Sequence, residues 1–264
     1  MLIMDFMFER YRKLCAAIRD SGVYQAVTVV EYLKKPRSNS VLLRHDVDRK
    51  PRKALVMAQI ETDYGLRSTY YIRAIQSCFD KNVLKALVDL GHEVGYHYET
   101  LSRAKGNVDK ALRLFQEDLD KFRSVVPVQT VCMHGSPFSR WNNLNIWHKA
   151  RLEDFGLLGD PYISIDFREI EYFSDTGRTW HSTRFNIKDR VHIGGIETKR
   201  EEIETTHQLI SIIKARHYEN LMILSHPNRW AANLPEWIYL AVSDVIINYT
   251  KMIVKLSQGN RSLI

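Results

Sequence analysis

The chain is poor in cysteine, has no long uninterrupted apolar run and carries no basic run interleaved with aromatics, and each absence removes a class of protein. Its three cysteines, Cys15, Cys78 and Cys132, lie far apart, form no C-x-x-C pair and leave an odd thiol. That excludes a disulfide framework and fits a reducing compartment. Residues 1–17 include Asp5, Glu9, Arg10, Arg12 and Lys13, so they lack the apolar core of a secretory signal and read as an amphipathic helix. The most apolar segment, 237–256, is interrupted by Asp244, Asn248 and Lys251, which would be costly in lipid; a helix packed outside the core is expected there, and no transmembrane segment. A cytoplasmic location follows as the expectation. Without aromatic-laced basic stretches there is no sign of a nucleic-acid groove, so the net charge of +7 is left as a basic surface or as attraction to an acidic partner such as an anionic glycan or a nucleotide-linked sugar. With no linker and no internal repeat, 1–264 reads as a single domain, long enough to bury a full core.

What is present is an alternation. From about residue 41, short apolar or β-branched runs alternate with amphipathic stretches, the pattern of β-α units around a parallel sheet. Strands are expected over 41–44, 68–73, 93–96, 130–133, 162–165, 191–193 and 221–224. Pro51 suits the first turn of a helix that runs through Ala54, Leu55, Ala58 and Ile60 and stops at Gly65. Further helices are expected over 81–90, 108–125 and 200–217. The weakly periodic regions 141–159 and 168–190 read as loops that could shape a cleft, and Trp141, Trp147, Trp180 and Trp230 in or near them suit either stacking on sugar rings or the core.

The chemistry collects at the ends of the expected strands. In Leu42-Leu43-Arg44-His45-Asp46-Val47-Asp48 an apolar run ends in two carboxylates one residue apart, which an extended strand sends to the same side. Two such groups coexist when one is protonated or a cation lies between them, so a metal site is the first reading. His45 alternates to the other face and reads as packing. Gly91-His92-Glu93-Val94-Gly95-Tyr96-His97-Tyr98-Glu99, Met133-His134-Gly135-Ser136-Pro137 and Ile223-Leu224-Ser225-His226-Pro227 each bring a histidine to the end of an apolar run. His92 reads as a loop-bracing histidine. Asp46, Asp48, His97, His134 and His226 thus end different strands, and a barrel gathers those ends on one rim, whereas the outer tips of an open sheet lie too far apart to share an ion. The expectation is an α/β fold, an irregular (β/α) barrel of about seven strands.

These motifs, in this order over about 41–227, resemble the polysaccharide deacetylase family with the NodB-type fold, metal-dependent carbohydrate N- or O-deacetylases. The resemblance implies that Asp46 is the base and Asp48 a metal ligand, that His97 is a metal-binding histidine and that His226 is the general acid. The forms HDVD, GYHYE, HGSP and SHPNRW are similar to a subgroup of bacterial surface-polysaccharide and O-antigen biosynthesis. Two departures stand out: the position of the family's second ligand histidine is Leu101, and its arginine-proline pair is missing, with His134 nearby. A divalent ion still needs about three protein ligands and an open position. Asp48 and His97 are two of them, and either His134 or Glu99 is the third; Glu99 reads more readily as a cap of the next helix or a partner of Arg103. Asp166, after the expected strand over 162–165, is the candidate partner that holds the His226 imidazolium. Zinc is the expected metal, with iron, cobalt or nickel also suited to a carboxylate and imidazoles.

The function implied is deacetylation of an acylated sugar or glycan precursor, nucleotide- or lipid-linked. Hydrolysis of a small non-sugar amide would use the same chemistry. A carbohydrate-binding or scaffold protein that has lost catalysis is the reading that Leu101 supports.

Overall fold

The alternating pattern folds into β-α units, in a computed structural model that describes residues 4–135, 139–181 and 202–244. In chain order the elements are α1 (Phe8–Asp20), β1 (Gln25–Ala26), α2 (Val29–Lys34), β2 (Ser40–Val47), α3 (Pro51–Asp63), β3 (Thr69–Arg73), α4 (Lys81–Asp89) and β4 (Glu93–Tyr98). They continue with α5 (Thr100–Arg103), α6 (Val108–Arg123), β5 (Val131–Met133), α7 (Pro161–Ser164), β6 (Glu171–Ser174), α8 (Thr206–Ala215) and β7 (Leu221–Ser225). Local chemistry sets the boundaries. Asp80 and Asn107 accept backbone N–H groups at the starts of α4 and α6, Thr205 and Gln208 form a capping box on α8, and Pro51 opens α3. Beyond α3, which ends at Asp63, Gly65 takes a left-handed φ of 68°, a backbone conformation that stops the helix as expected.

All pairings in the seven-stranded sheet are parallel, in the order β5-β4-β3-β2-β7-β6, with β1 beside the first half of β2. The sheet curls, and its inner face buries Leu42, Tyr71, Cys132, Tyr172, Met222 and Leu224 in one cluster. Among the described residues the path does not close between β5 and β6. Instead the chain near Gly159 bridges Thr130, and Ile165, Phe167 and Ile170 turn into the same interior cluster. The result is an irregular (β/α) barrel, as expected. Two larger clusters fill the space outside it, one under α3, α4 and α6 and one under α1 and α8.

Two expectations differ from the structure. The segment expected as a strand over 162–165 is the short helix α7, because Asp160 caps it through its side chain on the Tyr162 N–H and Pro161 occupies its first turn. The strand on that side is β6, inside a region read as loop, aligned with β7 from Glu171 opposite Leu221 to Ser174 opposite Leu224. The strand expected over 191–193 lies outside the described residues. Of the helix expected over 237–256, the described part runs from 234 to 244 and packs outside the barrel through Leu240 and through the Trp237 indole, which donates to the Asp5 carbonyl.

Candidate active site

Strand alternation sets the site's first residues. Along β2, Leu42, Arg44 and Asp46 face the barrel interior and Asp48 follows at the tip, while His45 faces out onto Glu61 of α3 at 2.6 Å. Arg44 is wholly buried and grips Asp46 with two hydrogen bonds, Nε to Oδ1 at 3.0 Å and Nη2 to Oδ2 at 2.7 Å. It also donates to the Tyr162 hydroxyl, with its guanidinium 4.6 Å from that ring's centre. Burial by itself would raise the Asp46 pKa, but the Arg44 charge, with help from His97, holds the carboxyl well below the usual carboxylate range. Asp46 is therefore ionised at neutral pH without any further partner.

His97 stands on β4 opposite Cys132 of β5 in register. Its Nδ1 donates to the Cys132 carbonyl at 2.9 Å, which leaves the Nε2 lone pair facing Asp46 Oδ2 at 3.5 Å and Asp48 Oδ1 at 3.6 Å. Burial, against the pull of Asp46, pushes the His97 pKa down to about 4, so the imidazole is neutral and able to act as a ligand. His134 extends the β4–β5 pairing by one residue, its N–H donating to the Tyr98 carbonyl at 2.7 Å. Its Nε2 lies 3.4 Å from Asp48 Oδ1, and its Nδ1 lies 3.1 Å from Glu99 Oε2. Glu99 in turn takes two hydrogen bonds from Arg73 Nη2, at 2.6 and 2.8 Å. It thus stands behind His134 and orients it; Arg103, the partner considered from sequence, pairs with Asp118 instead. Burial would raise the Glu99 pKa, yet the hydrogen bond to His134 and the Arg73 pair bring it down to about 2.

The fit to a cation rests on one atom. Asp48 Oδ1 is shut off from water and has no hydrogen-bond partner, a condition that costs about 1–3 kcal/mol when nothing relieves it. It faces the two imidazole nitrogens, and the three ligand atoms of Asp48, His97 and His134 all lie within 4.8 Å of one another. Both imidazoles are oriented by a bond from the other ring nitrogen, as ligand histidines are. One carboxylate and two imidazoles make a donor set for zinc or a neighbouring transition metal. Asp48 and His134 keep 23% and 14% of their side chains exposed, while Asp46 and His97 are buried, so the cluster opens toward solvent on one side only.

His226, just past β7, completes the rim. Its Nδ1 lies 2.6 Å from Asp175 Oδ1, and its backbone N–H and the Trp230 indole both donate to Asp175 Oδ2, at 2.8 and 3.0 Å. Burial disfavours the imidazolium, but the buried Asp175 carboxylate outweighs it and leaves the His226 pKa above the ordinary histidine value. The partner expected from sequence was Asp166. That residue sits before β6, toward the opposite edge of the sheet, exposed and ion-paired with Arg168. The error follows from the misplaced strand: once β6 is Glu171–Ser174, the residue at its C-terminal end is Asp175.

Of the residues singled out from sequence, Asp46, Asp48, His97, His134 and His226 meet on the rim and Asp166 does not. Sequence reasoning missed Arg44, Asp175 and Arg73. Arg44 could have been found, since it lies two residues before Asp46 and so on the same face of the strand. Leu101 of α5 is 3% exposed and packs into the core, so its side chain points away from the cluster. His92 bonds Ser68, Thr62 and the Ala58 carbonyl and braces its loop. Trp180 and Trp230 are fully buried, and Trp141 and Trp147 are partly so.

Barrel and rim together define the class of protein, a (β/α) barrel with a carboxylate–imidazole cluster at the C-terminal ends of its strands. No described protein family matches the sequence, and no protein of curated function does. Among solved structures, the chain is similar to BA3943, a CE4 family pseudoenzyme from Bacillus anthracis, with 13% identity and a TM-score of 0.42 over 82% of this chain and 62% of that one. A BA3943 mutant with restored enzymatic activity gives the same identity and TM-score and is covered over 64% of its length. The chain therefore spans less than two thirds of these proteins. The peptidoglycan deacetylase PdaC from Bacillus subtilis is similar at 10% identity and a TM-score of 0.40, over 83% of this chain and 98% of that one.

Proposed function

We propose that this chain is a metal-dependent deacetylase acting on an acylated sugar or glycan precursor, nucleotide- or lipid-linked, in surface-polysaccharide (O-antigen) biosynthesis, and that it works in the cytoplasm. The observation that carries the reading is the unpaired Asp48 Oδ1 facing the Nε2 atoms of His97 and His134, with Asp46 on one flank. Asp48, His97 and His134 would hold the ion. Once bound there, zinc, or iron, cobalt or nickel in its place, would polarise the acyl carbonyl and acidify water.

The chain's own groups supply the proton transfers. Asp46, kept ionised by Arg44, takes a proton from the attacking water; with each oxygen accepting only one bond from Arg44, it retains free lone pairs for this. His226 binds Asp175 through Nδ1 and so carries its transferable proton on Nε2, where it passes to the departing amine or hydroxyl. The two roles call for opposite charge states at one pH, and the opposed pKa shifts of Asp46 and His226 provide them.

The test is metal content together with acetate release from acetylated sugars. Asp46→Asn is expected to keep its metal and lose turnover by at least about a hundredfold, while Asp48→Asn and His97→Ala lose both. Full activity in Asp46→Asn would remove the base assigned here. The competing reading, a glycan-binding protein without catalysis, is favoured by Leu101 in the core; it predicts glycan binding by a protein that takes up no metal even when soaked in zinc, cobalt, nickel or ferrous iron.

A further inference from the structure

The helix over 234–244 follows His226, the short turn Pro227–Arg229 and four further residues. Its inward side is engaged, with Leu240 buried and the Trp237 indole bonded to Asp5. Its outward side carries Leu234, Ile238 and Val242, spaced one helical turn apart, with Tyr239 beside them, exposed by 49%, 51%, 55% and 64%. Bare apolar stripes of this kind on a helix mark a surface that is covered by something else.

The surroundings say what covers it. The helix is tied to the start of α3 by the Lys53–Glu236 ion pair at 2.7 Å, and Lys50 Nζ lies 5.9 Å from the centre of the Tyr239 ring. Arg49 and Arg52 flank Lys50 along the chain, all three are exposed, and among the described residues none of them has a carboxylate at ion-pair distance. An apolar stripe with exposed cations at its edge suits a bilayer interface with anionic headgroups, where the side chains enter the acyl boundary and the cations meet phosphates. No helix among the described residues is long and apolar enough to cross a membrane, so the contact is one of lying on the surface.

We propose that this helix and the Arg49–Lys50–Arg52 edge dock the protein on an anionic lipid surface with the Asp48 rim beside the headgroups. The site is two residues from Lys50 along the chain, so docking would bring it within reach of a glycan linked to a lipid phosphate. That last step rests on the deacetylase reading; the docking itself does not.

The test is cosedimentation of the full chain with vesicles of phosphatidylcholine mixed with phosphatidylglycerol, and with vesicles of phosphatidylcholine alone. Binding is expected only to the mixed vesicles and should weaken with added salt. The double variant Ile238→Asp/Val242→Asp, and separately Arg52→Glu, should weaken it about tenfold or more, with unchanged metal content and unchanged release of acetate from a soluble acetylated sugar. No binding to mixed vesicles, or binding indifferent to these substitutions, overturns the proposal. So does a dimer of the wild-type chain in sedimentation equilibrium that the Ile238→Asp/Val242→Asp pair disperses, because a second copy would then cover the stripe. Loss of docking with acetate release intact leaves the deacetylase reading standing.

Discussion

At the scale of single residues, the rim works by giving each titratable group one dominant neighbour. Arg44 belongs to Asp46, Glu99 to His134 and Asp175 to His226; Asp46 keeps a lone pair on each oxygen, and each histidine keeps its Nε2 clear of that neighbour. Asp175 is the most readily tested. Because it raises the His226 pKa, the imidazolium persists above the ordinary histidine value and is lost only as pH rises through the raised one. A kcat/KM profile should therefore fall on its basic side at that pH. Asp175→Asn should move the basic limb to lower pH and reduce the rate at neutral pH by about a hundredfold, with metal content unchanged. A profile that keeps its basic limb in place would show that Asp175 only supports the fold. The five rim residues from the sequence motifs could be read because their spacing and strand-end positions are local properties. Asp175 could not, since its role depends on the alignment of β6 with β7 and nothing nearby in the chain signals it.

At the scale of elements, the strands that carry the site are held apart by what fills the barrel. Gly95 on β4 faces the Tyr71 ring and the Thr130 carbonyl; a Cβ there would come within 2.4 Å of the ring and 3.0 Å of the carbonyl oxygen. The absence of a side chain is what lets Tyr71 lie across β4 and bond the Thr130 hydroxyl at 3.0 Å. Gly95→Ala is expected to destabilise the protein by about 2 kcal/mol, read as a lower urea midpoint with an unchanged slope. An unchanged midpoint would mean that Tyr71 moves aside without cost. The elements were largely legible in advance where amphipathic period and caps agree, as in α3, α4 and α6. The misreading at 162–165 arose because the apolar Tyr162-Ile163-Ser164-Ile165 run was weighed above Asp160-Pro161, which is a helix start. β6 was overlooked because four residues with a single buried aromatic pair leave too short a signal against loop.

At the scale of the whole molecule, one buried polar network joins five parts of the chain. The Glu61 carboxylate of α3 accepts from Tyr11 of α1, from Ser68 ahead of β3 at 2.6 Å and from Tyr70 of β3 at 2.7 Å, and it pairs with His45 of β2 and with His92 ahead of β4. Burial would raise the Glu61 pKa, but His45 and these hydrogen bonds bring it from 4.5 down to about 2. A depressed native pKa stabilises the fold above the ordinary value and ceases to do so as pH falls toward the native one. His92, whose pKa burial also lowers, acts in the same direction, because acid favours its protonation in the unfolded chain. Glu61→Gln should therefore cost about 3 kcal/mol at pH 7, and the gap to the wild type should close between pH 4.5 and about 2. Urea unfolding across that range checks it; a gap that stays constant with pH would show that Glu61 acts by shape and not by charge.

By itself the sequence determined the class of fold, through the period of its apolar residues, and five of the rim residues, through their place at the ends of apolar runs. Both are short-range properties, since backbone geometry alone decides which side chains share a face. It took the tertiary structure to turn the His134 Nε2 toward Asp48 with Glu99 behind it, to set Asp175 and not Asp166 beside His226, and to bring Arg44 onto Asp46. These are questions of which free atom faces which, and they are answered by strand register and by the burial that leaves Asp48 Oδ1 with two imidazoles and no water.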